Sequence, residues 1–221
     1  MPTLQYFNSR GRAEPVRLCY ALKGVSWSEQ HVGVEITDMH TNKENFPFGQ
    51  VPRLVDDDGT SVLQSLAILR HVGRSLDLYG STPQEMARVD ELLDGLEDMR
   101  AKTKVLIYGD KLSDEGFKKY ASTVLAPPPL PAASTGGSVM AIFEFLVGKA
   151  FSSGQATYCA SGLTLADIQL FNMVDIHLPL LPVHMAAFPT LLALHKSVGA
   201  IPEIAACECR SGVLYCYLPT S

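Results

Sequence analysis

Val51-Pro52-Arg53-Leu54-Val55-Asp56-Asp57-Asp58-Gly59-Thr60-Ser61-Val62-Leu63-Gln64-Ser65 holds the signals that decide the first half of the chain. Arg53 to Val55 and Ser61 to Leu63 flank Asp56-Asp57-Asp58-Gly59, whose turn residues predict a hairpin. After Ser65, the apolar residues Leu66, Leu69, Val72 and Leu76 recur at helical spacing. Upstream, Leu4 to Phe7 reads as a short strand and Asn8-Ser9-Arg10-Gly11 as a turn. Pro15 suits a first helical turn, Val16, Cys19 and Leu22 mark an apolar stripe, and Gly24 suits the stop. A second strand is expected around Gln30 to Val34, followed by a polar stretch from Thr37 to Asn45. The order β-α-β, connection, β-β-α is that of a small α/β sheet domain spanning residues 1–78.

From residue 82 to 221 the pattern is helical. Thr82-Pro83-Gln84-Glu85 is a capping box with proline at the first helical position. Behind it Val89, Leu92, Leu93, Leu96 and Met99 form a stripe that can run to Tyr108. Thr164-Leu165-Ala166-Asp167 is a second capping box, stapled by Leu163 and Ile168. Phe171, Val174 and Leu178 continue that helix's buried face up to Pro179. Between these helices Ala126 to Ser138 contains Pro127, Pro128, Pro129, Pro131, Gly136 and Gly137 and no charge. It reads as a loop or inserted linker. The expected fold class is an α/β domain followed by an all-α domain.

At 221 residues the chain can bury a sizeable core, and 47% hydrophobic with 19% charged residues is an ordinary globular composition. A net charge of −5 without any basic stripe argues against a nucleic-acid partner. Met1 to Tyr6 and the early Arg10, Arg12 and Glu14 make no signal peptide. Val139 to Phe151 is broken by Glu144 and Lys149 and is too short to span a bilayer. The expectation is a cytoplasmic protein with no membrane partner. Cys19, Cys159, Cys207, Cys209 and Cys216 are odd in number and scattered, which favours reduced thiols. Cys207-Glu208-Cys209 with Cys216 matches no common zinc spacing, so no metal is expected.

Four features invite a chemical reading, and each has a plain structural competitor. Tyr6 ends a strand beside a turn, where its hydroxyl can face a cleft or its ring can simply pack. Gln64-Ser65 opens a helix, as an anion site or as an N-cap. Val51-Pro52 enters a strand, where a cis bond would expose the valine backbone and a trans bond would not. Asp90, Asp94, Glu97 and Asp98 crowd one helix, as a solvated face or as a site awaiting a cation.

The combination is more specific than its parts. Tyr6 to Glu14, Phe48-Gly49-Gln50-Val51-Pro52, Gln64 to Arg70 and the box at Thr164 resemble cytosolic glutathione transferases. Tyr-Phe-Asn at Tyr6 and Gln-Ser-Leu-Ala-Ile at Gln64 are similar to the sigma class. Val89 to Tyr108 is more similar to the pi class, which is preferred. The resemblance implies a thioredoxin-like domain with a cis Pro52, an all-helical second domain and a two-fold homodimer. It implies glutathione as co-substrate, hydrophobic electrophiles as partners, a detoxifying transferase activity and no further cofactor.

Residue by residue, the resemblance makes Tyr6 the hydroxyl that hydrogen-bonds the glutathione sulfur. A thiol titrates near about 8.5, and a hydrogen bond offered to the thiolate lowers that value. Gln64 and Ser65 would hold the γ-glutamyl carboxylate, and Val51 would pair its backbone with the cysteinyl part beside Pro52. Lys43 and Gln50 match positions on the glycyl side. Asp98 would reach the γ-glutamyl ammonium across the dimer, and Arg12 would bias the field towards thiolate. Phe7, Ser9 and Tyr108 would line the electrophile pocket. Thr37 stands where the family usually carries a glycyl-binding tryptophan, Trp27 being the only tryptophan. The proline-rich stretch and the ending Cys207 to Ser221 also depart from the family.

A redox protein of the thioredoxin fold would need a cysteine after the first strand, and Asn8 to Gly11 has none. A prostaglandin isomerase of the sigma kind uses the same thiolate and stays open as an alternative. So does a non-catalytic binding or crystallin-like relative, against which Tyr6 and Gln64-Ser65 both speak.

Overall fold

The computed structural model describes residues 1–126 and 138–210, the side chains of 208–210 excepted. Residues 127–137, which make up nearly all of the proline-rich stretch, and 211–221, with Cys216, lie outside the described residues. Two compact units divide the chain. Among the described residues, one holds Met1–Leu78 and 200–210, the other those of Tyr79–Gly199.

The first unit contains β1 (Thr3–Tyr6), α1 (Glu14–Leu22), β2 (Ser28–His31), β3 (Arg53–Val55), β4 (Ser61–Leu63) and α2 (Ser65–Ser75). The sheet order is β2-β1-β3-β4, with β1 parallel to β2 and the other neighbours antiparallel. The hairpin closes as its residues predict. The Asp56 amide reaches the Thr60 carbonyl at 2.9 Å, and Gly59 sits at φ 86°. β2 starts and ends earlier than its residues suggest. The His31 carbonyl accepts the amides of Val34, Glu35 and Ile36, so the chain turns there, and Gly33 adopts φ 87°. Leu4, Val16, Leu18, Leu54 and Ile68 are fully buried between the sheet and its helices. A smaller apolar cluster of Ile36, Met39 and Phe46, with Val32, Val51 and Leu63 against it, anchors the connection between β2 and β3.

The last described helix, Pro202–Arg210, packs on α1 through buried Ile204 and Cys207. It therefore belongs to the first unit, not to the helical one.

The second unit contains α3 (Pro83–Lys104), a π-helical turn at Val105–Gly109, α4 (Asp114–Val124), α5 (Val139–Ser152), α6 (Leu165–Leu180), α7 (Pro182–Met185) and α8 (Pro189–Gly199). The stripe from Val89 to Met99 is buried, and α6 packs between α3 and α8. At Thr82 only half of the expected box forms. Thr82 Oγ1 accepts the Glu85 amide at 3.2 Å, but the Glu85 carboxylate takes the amides of Ser81 and Ser161, each at 2.9 Å. Those backbone donors hold the Glu85 carboxyl down at about 2. At α6, Asp167 accepts the amides of Tyr158 and Thr164 at 2.7 and 2.9 Å, fully buried. That helix also runs past Pro179 to Leu180, because a missing donor so near the end costs a single hydrogen bond.

Among the described residues no helix is long and apolar enough to cross a membrane, and no group of three or more His, Cys, Asp or Glu could hold a metal ion.

One polar chain crosses the helical core. His177 Nδ1 donates to the Met173 carbonyl at 2.7 Å, and the Tyr120 hydroxyl meets His177 Nε2 at 2.8 Å and Thr103 Oγ1 at 2.7 Å. The carbonyl can only accept, so Nδ1 carries a proton, and burial favours the neutral form of the ring. Burial pushes the imidazole down from its ordinary 6.5 to about 4. Between those values the unfolded chain binds a proton that the folded chain refuses, so stability falls as the pH drops through that window. The expected loss from this residue is on the order of 3 kcal/mol. Urea unfolding at pH 7 and pH 4.5 should therefore show a smaller acid-induced loss for His177→Gln than for the parent chain. An equal loss would remove His177 from the pH dependence.

Candidate active site

Tyr6 closes β1 with its ring buried, 8% exposed, and its hydroxyl reaches the turn that follows the strand. The Arg12 amide donates to Tyr6 Oη at 3.0 Å. Gly11, at φ +42°, makes that approach possible, since a Cβ there would lie 2.5 Å from the same oxygen. Among the described residues the Arg12 amide is the hydroxyl's one hydrogen-bond partner in the chain. An accepted N–H leaves the hydroxyl proton available to another acceptor and polarises it towards donation. Phe7 stands edge-on to the Tyr6 ring at 5.4 Å and is 45% exposed.

The turn itself is held by Arg17 on α1. The Arg17 guanidinium takes both oxygens of Glu29 at 2.8 and 2.9 Å and Glu14 at 3.2 Å. It also donates to the carbonyls of Ser9 and Arg10 at 2.9 and 3.2 Å. Burial disfavours the Glu29 carboxylate, but the hydrogen bonds from Arg17 and Trp27 outweigh it and hold the group below its ordinary range. Arg17 thus fixes the backbone immediately before Gly11 and Arg12.

At the other side of the site, Ser65 is the first residue of α2 and not its N-cap. Gln64 takes the cap position with φ 71°, a left-handed conformation costly for a side-chain-bearing residue, and makes no side-chain cap bond. Ser65 Oγ instead accepts from Arg12 Nη1 at 3.1 Å. Arg12 therefore touches Tyr6 with its backbone and Ser65 with its guanidinium. The first amides of α2 lack intrahelical partners and, with the helix dipole, favour an anion there.

The remaining expected residues lie as follows. The Val51–Pro52 bond is cis at the entry to β3, with Pro52 buried and Val51 half-buried. Lys43 and Gln50 are exposed on the connection before it, and Lys43 Nζ lies 3.2 Å from where a Gly49 Cβ would stand. Ser9 is half-buried, its amide bonded to the Phe7 carbonyl at 2.6 Å. Thr37 is exposed, and Trp27 is engaged elsewhere, stacked on Tyr20 at 5.8 Å and bonded to Glu29. Asp98 and Tyr108 belong to the second unit, Asp98 exposed on α3 and Tyr108 61% exposed in the π-helical turn. Asp90 accepts the Tyr79 hydroxyl, so the acidic face has at least one internal partner. A cavity of about 620 Å³ in the first unit is lined by Ser9, Arg17, Trp27, Glu29, His31 and Cys207 among others. Ser9 alone of the expected residues lines it.

Sequence reasoning passed over Gly11 and Arg17. The signal for the second was there: Glu14 and Arg17, three residues apart, are charges on a helix face otherwise apolar.

Residues 2–74 match the family described as Glutathione S-transferase, N-terminal domain, and residues 135–207 match Glutathione S-transferase, C-terminal domain. Glutathione S-transferase P of Bos taurus is 34% identical over 205 residues, 92% of this chain and 90% of that one. The Homo sapiens protein of the same name is 35% identical with the same coverage. The solved pi-class glutathione S-transferase of Onchocerca volvulus superposes with a TM-score of 0.78 at 29% identity, covering 95% of this chain and 93% of that one. The likeness to the pi class runs through both sequence and structure, and the chain belongs to the glutathione S-transferase family.

Proposed function

We propose that the chain is a glutathione transferase that delivers the thiolate of glutathione to hydrophobic, electrophilic small molecules. The observation that carries this is the Tyr6 hydroxyl, held by a backbone amide with its proton free to be given to a sulfur. In the reaction the thiol proton passes to solvent and the thiolate lone pair forms a carbon–sulfur bond. The leaving group departs with the electrons of its own bond. A donor aimed at the charged sulfur favours thiolate over thiol, about 1.4 kcal/mol for each unit of acidity gained.

The supporting groups divide along the tripeptide. Gln64, Ser65 and the start of α2 receive the γ-glutamyl carboxylate, the Val51 backbone beside Pro52 pairs with the cysteinyl part, and Lys43 and Gln50 serve the glycyl end. Arg12, tied to Ser65, contributes positive potential near the sulfur. Phe7, Ser9 and Tyr108 receive the electrophile. No cofactor beyond the co-substrate enters. The active unit of this reading is a cytoplasmic homodimer with a detoxifying role, in which Asp98 of one subunit meets the γ-glutamyl ammonium bound to the other.

Three substitutions test this reading. Tyr6→Phe should lower turnover with a generic aryl halide by about one to three orders of magnitude while binding glutathione almost unchanged. The ultraviolet thiolate band of bound glutathione should move to higher pH, and an unmoved band would sink the role given to Tyr6. Gly11→Ala pushes the same oxygen away and should cost up to about a hundredfold in turnover. Activity within twofold of the parent would show that the hydroxyl's position is unimportant. Asp98→Asn should raise the glutathione dissociation constant several-fold with the dimer intact by sedimentation. Mixing Asp98→Asn with inactive Tyr6→Phe subunits should restore full affinity at the hybrid's working site. No recovery on subunit exchange would place Asp98 in its own subunit's site.

A further inference from the structure

One polar row crosses the sheet of the first unit, and nothing in the proposed chemistry uses it. Gln30 on β2, Gln5 on β1 and Arg53 on β3 are neighbours by register, Gln5 facing Gln30 in the parallel pair and Arg53 in the antiparallel one. Gln5 Nε2 donates to Gln30 Oε1 at 2.6 Å, and Arg53 Nη1 donates to Gln5 Oε1 at 3.1 Å. Arg53 Nε reaches Ser61 Oγ on β4 at 2.8 Å. The remaining nitrogen, Nη2, leaves the sheet and donates to Asn45 Oδ1 at 3.0 Å. From there the row continues through the connection: the Asn45 amide donates to Asn42 Oδ1 at 3.0 Å and Asn42 Nδ2 to Asp38 Oδ2 at 2.8 Å. The guanidinium also lies over the Phe46 ring at 5.4 Å.

The connection so tied is the one that carries Lys43 and Gln50. Its apolar anchor, Ile36, Met39 and Phe46, fixes the segment as a whole, but apolar contacts are non-directional and leave its polar tip to be set by hydrogen bonds. Both Lys43 and Gln50 are exposed, and a flexible ammonium presented from a loose loop loses binding energy in ordering. Arg53 supplies the missing direction. Its planar fork directs three separate nitrogens to three different elements, where a lysine would have a single nitrogen. With Thr37 exposed where a tryptophan would otherwise reach the glycine, the glycyl end depends on this connection all the more.

We infer that Arg53 is a positioning residue for the glycyl end of the thiol substrate, and through it sets the selectivity for glutathione over γ-glutamylcysteine, the same thiol without its glycine. The inference rests on the reading of the chain as a glutathione transferase. It is tested by calorimetric titration of both thiols against the parent chain, Arg53→Met and Asn45→Ala. Methionine keeps an apolar stem over Phe46, and alanine at 45 cuts the link between Arg53 and the connection while leaving the bonds to Gln5 and Ser61 in place. Each variant should bind glutathione about fivefold more weakly, the scale of one lost net hydrogen bond, with γ-glutamylcysteine unchanged within twofold. In catalysis the loss should fall on KM and leave kcat alone. If both thiols weaken alike, or neither does, Arg53 is a structural residue only and the inference fails by itself. If the parent chain binds neither thiol, the transferase reading fails and takes this inference with it.

Discussion

The first unit depends on one buried guanidinium. Arg17 closes a bidentate pair with Glu29 on β2, bonds Glu14 within α1, and donates to two carbonyls of the turn between β1 and α1. A charge buried this deeply is costly unless every donor is used, and here they are used on groups that the fold must hold still. Removing one partner of such a set typically costs about 3–5 kcal/mol. The larger consequence is geometric. Ser9 and Arg10 are pinned, Gly11 and Arg12 follow within two residues, and the Arg12 amide is what meets Tyr6. An ion pair between a helix and a sheet edge is thereby converted into the orientation of a phenol.

Two other fixed points complete the frame. The start of α2 is set by Gln64 in a left-handed conformation that a glycine would adopt freely, and its first side chain is bonded to Arg12. The connection into β3 is set by the cluster around Phe46 and by the Arg53 fork. Arg12 and Arg53 join elements that lie far apart in sequence, and Arg17 ties consecutive ones, the β1–α1 turn, α1 and β2. Arginine suits this work because its donors lie in one plane at fixed angles, so each bond made constrains the others.

Much of this frame was legible in the residues and some of it was not. The hairpin, the start of α1 at Pro15 and the stripe of α3 follow from local signals: turn residues, a proline at a first helical turn and apolar spacing. The end of β2 was misjudged because the turn at His31 competes with the strand: its carbonyl takes three later amides, the Glu35 carboxylate takes its amide, and Gly33, the one visible sign, adopts positive φ. Ser65 looked like a cap because serine is a good one. The cap position fell to Gln64, and the serine hydroxyl turned to Arg12 instead, a contact across 53 residues that local patterning cannot contain. The last helix was assigned to the helical unit by its order in the chain, whereas it packs on α1 and buries Ile204 and Cys207. Of the candidate site, Tyr6, Arg12 and Ser65 are joined by direct bonds. Their assignment came from a resemblance, since none of the three declares a role by spacing alone.

What the residues conceal is mostly backbone. The donor that orients Tyr6 is a peptide N–H, and every residue type except proline supplies one. Such a donor leaves no mark at its own position. Its mark is displaced to the neighbour: Gly11 is glycine because any larger residue would stand where the hydroxyl must be. The same displacement applies at α2, where the first amides of the helix are anonymous and the visible sign is a strained Gln64. In a site assembled from backbone groups, the informative residues are therefore the ones that permit the geometry. Those that perform the chemistry are found by asking what each small or strained residue makes room for.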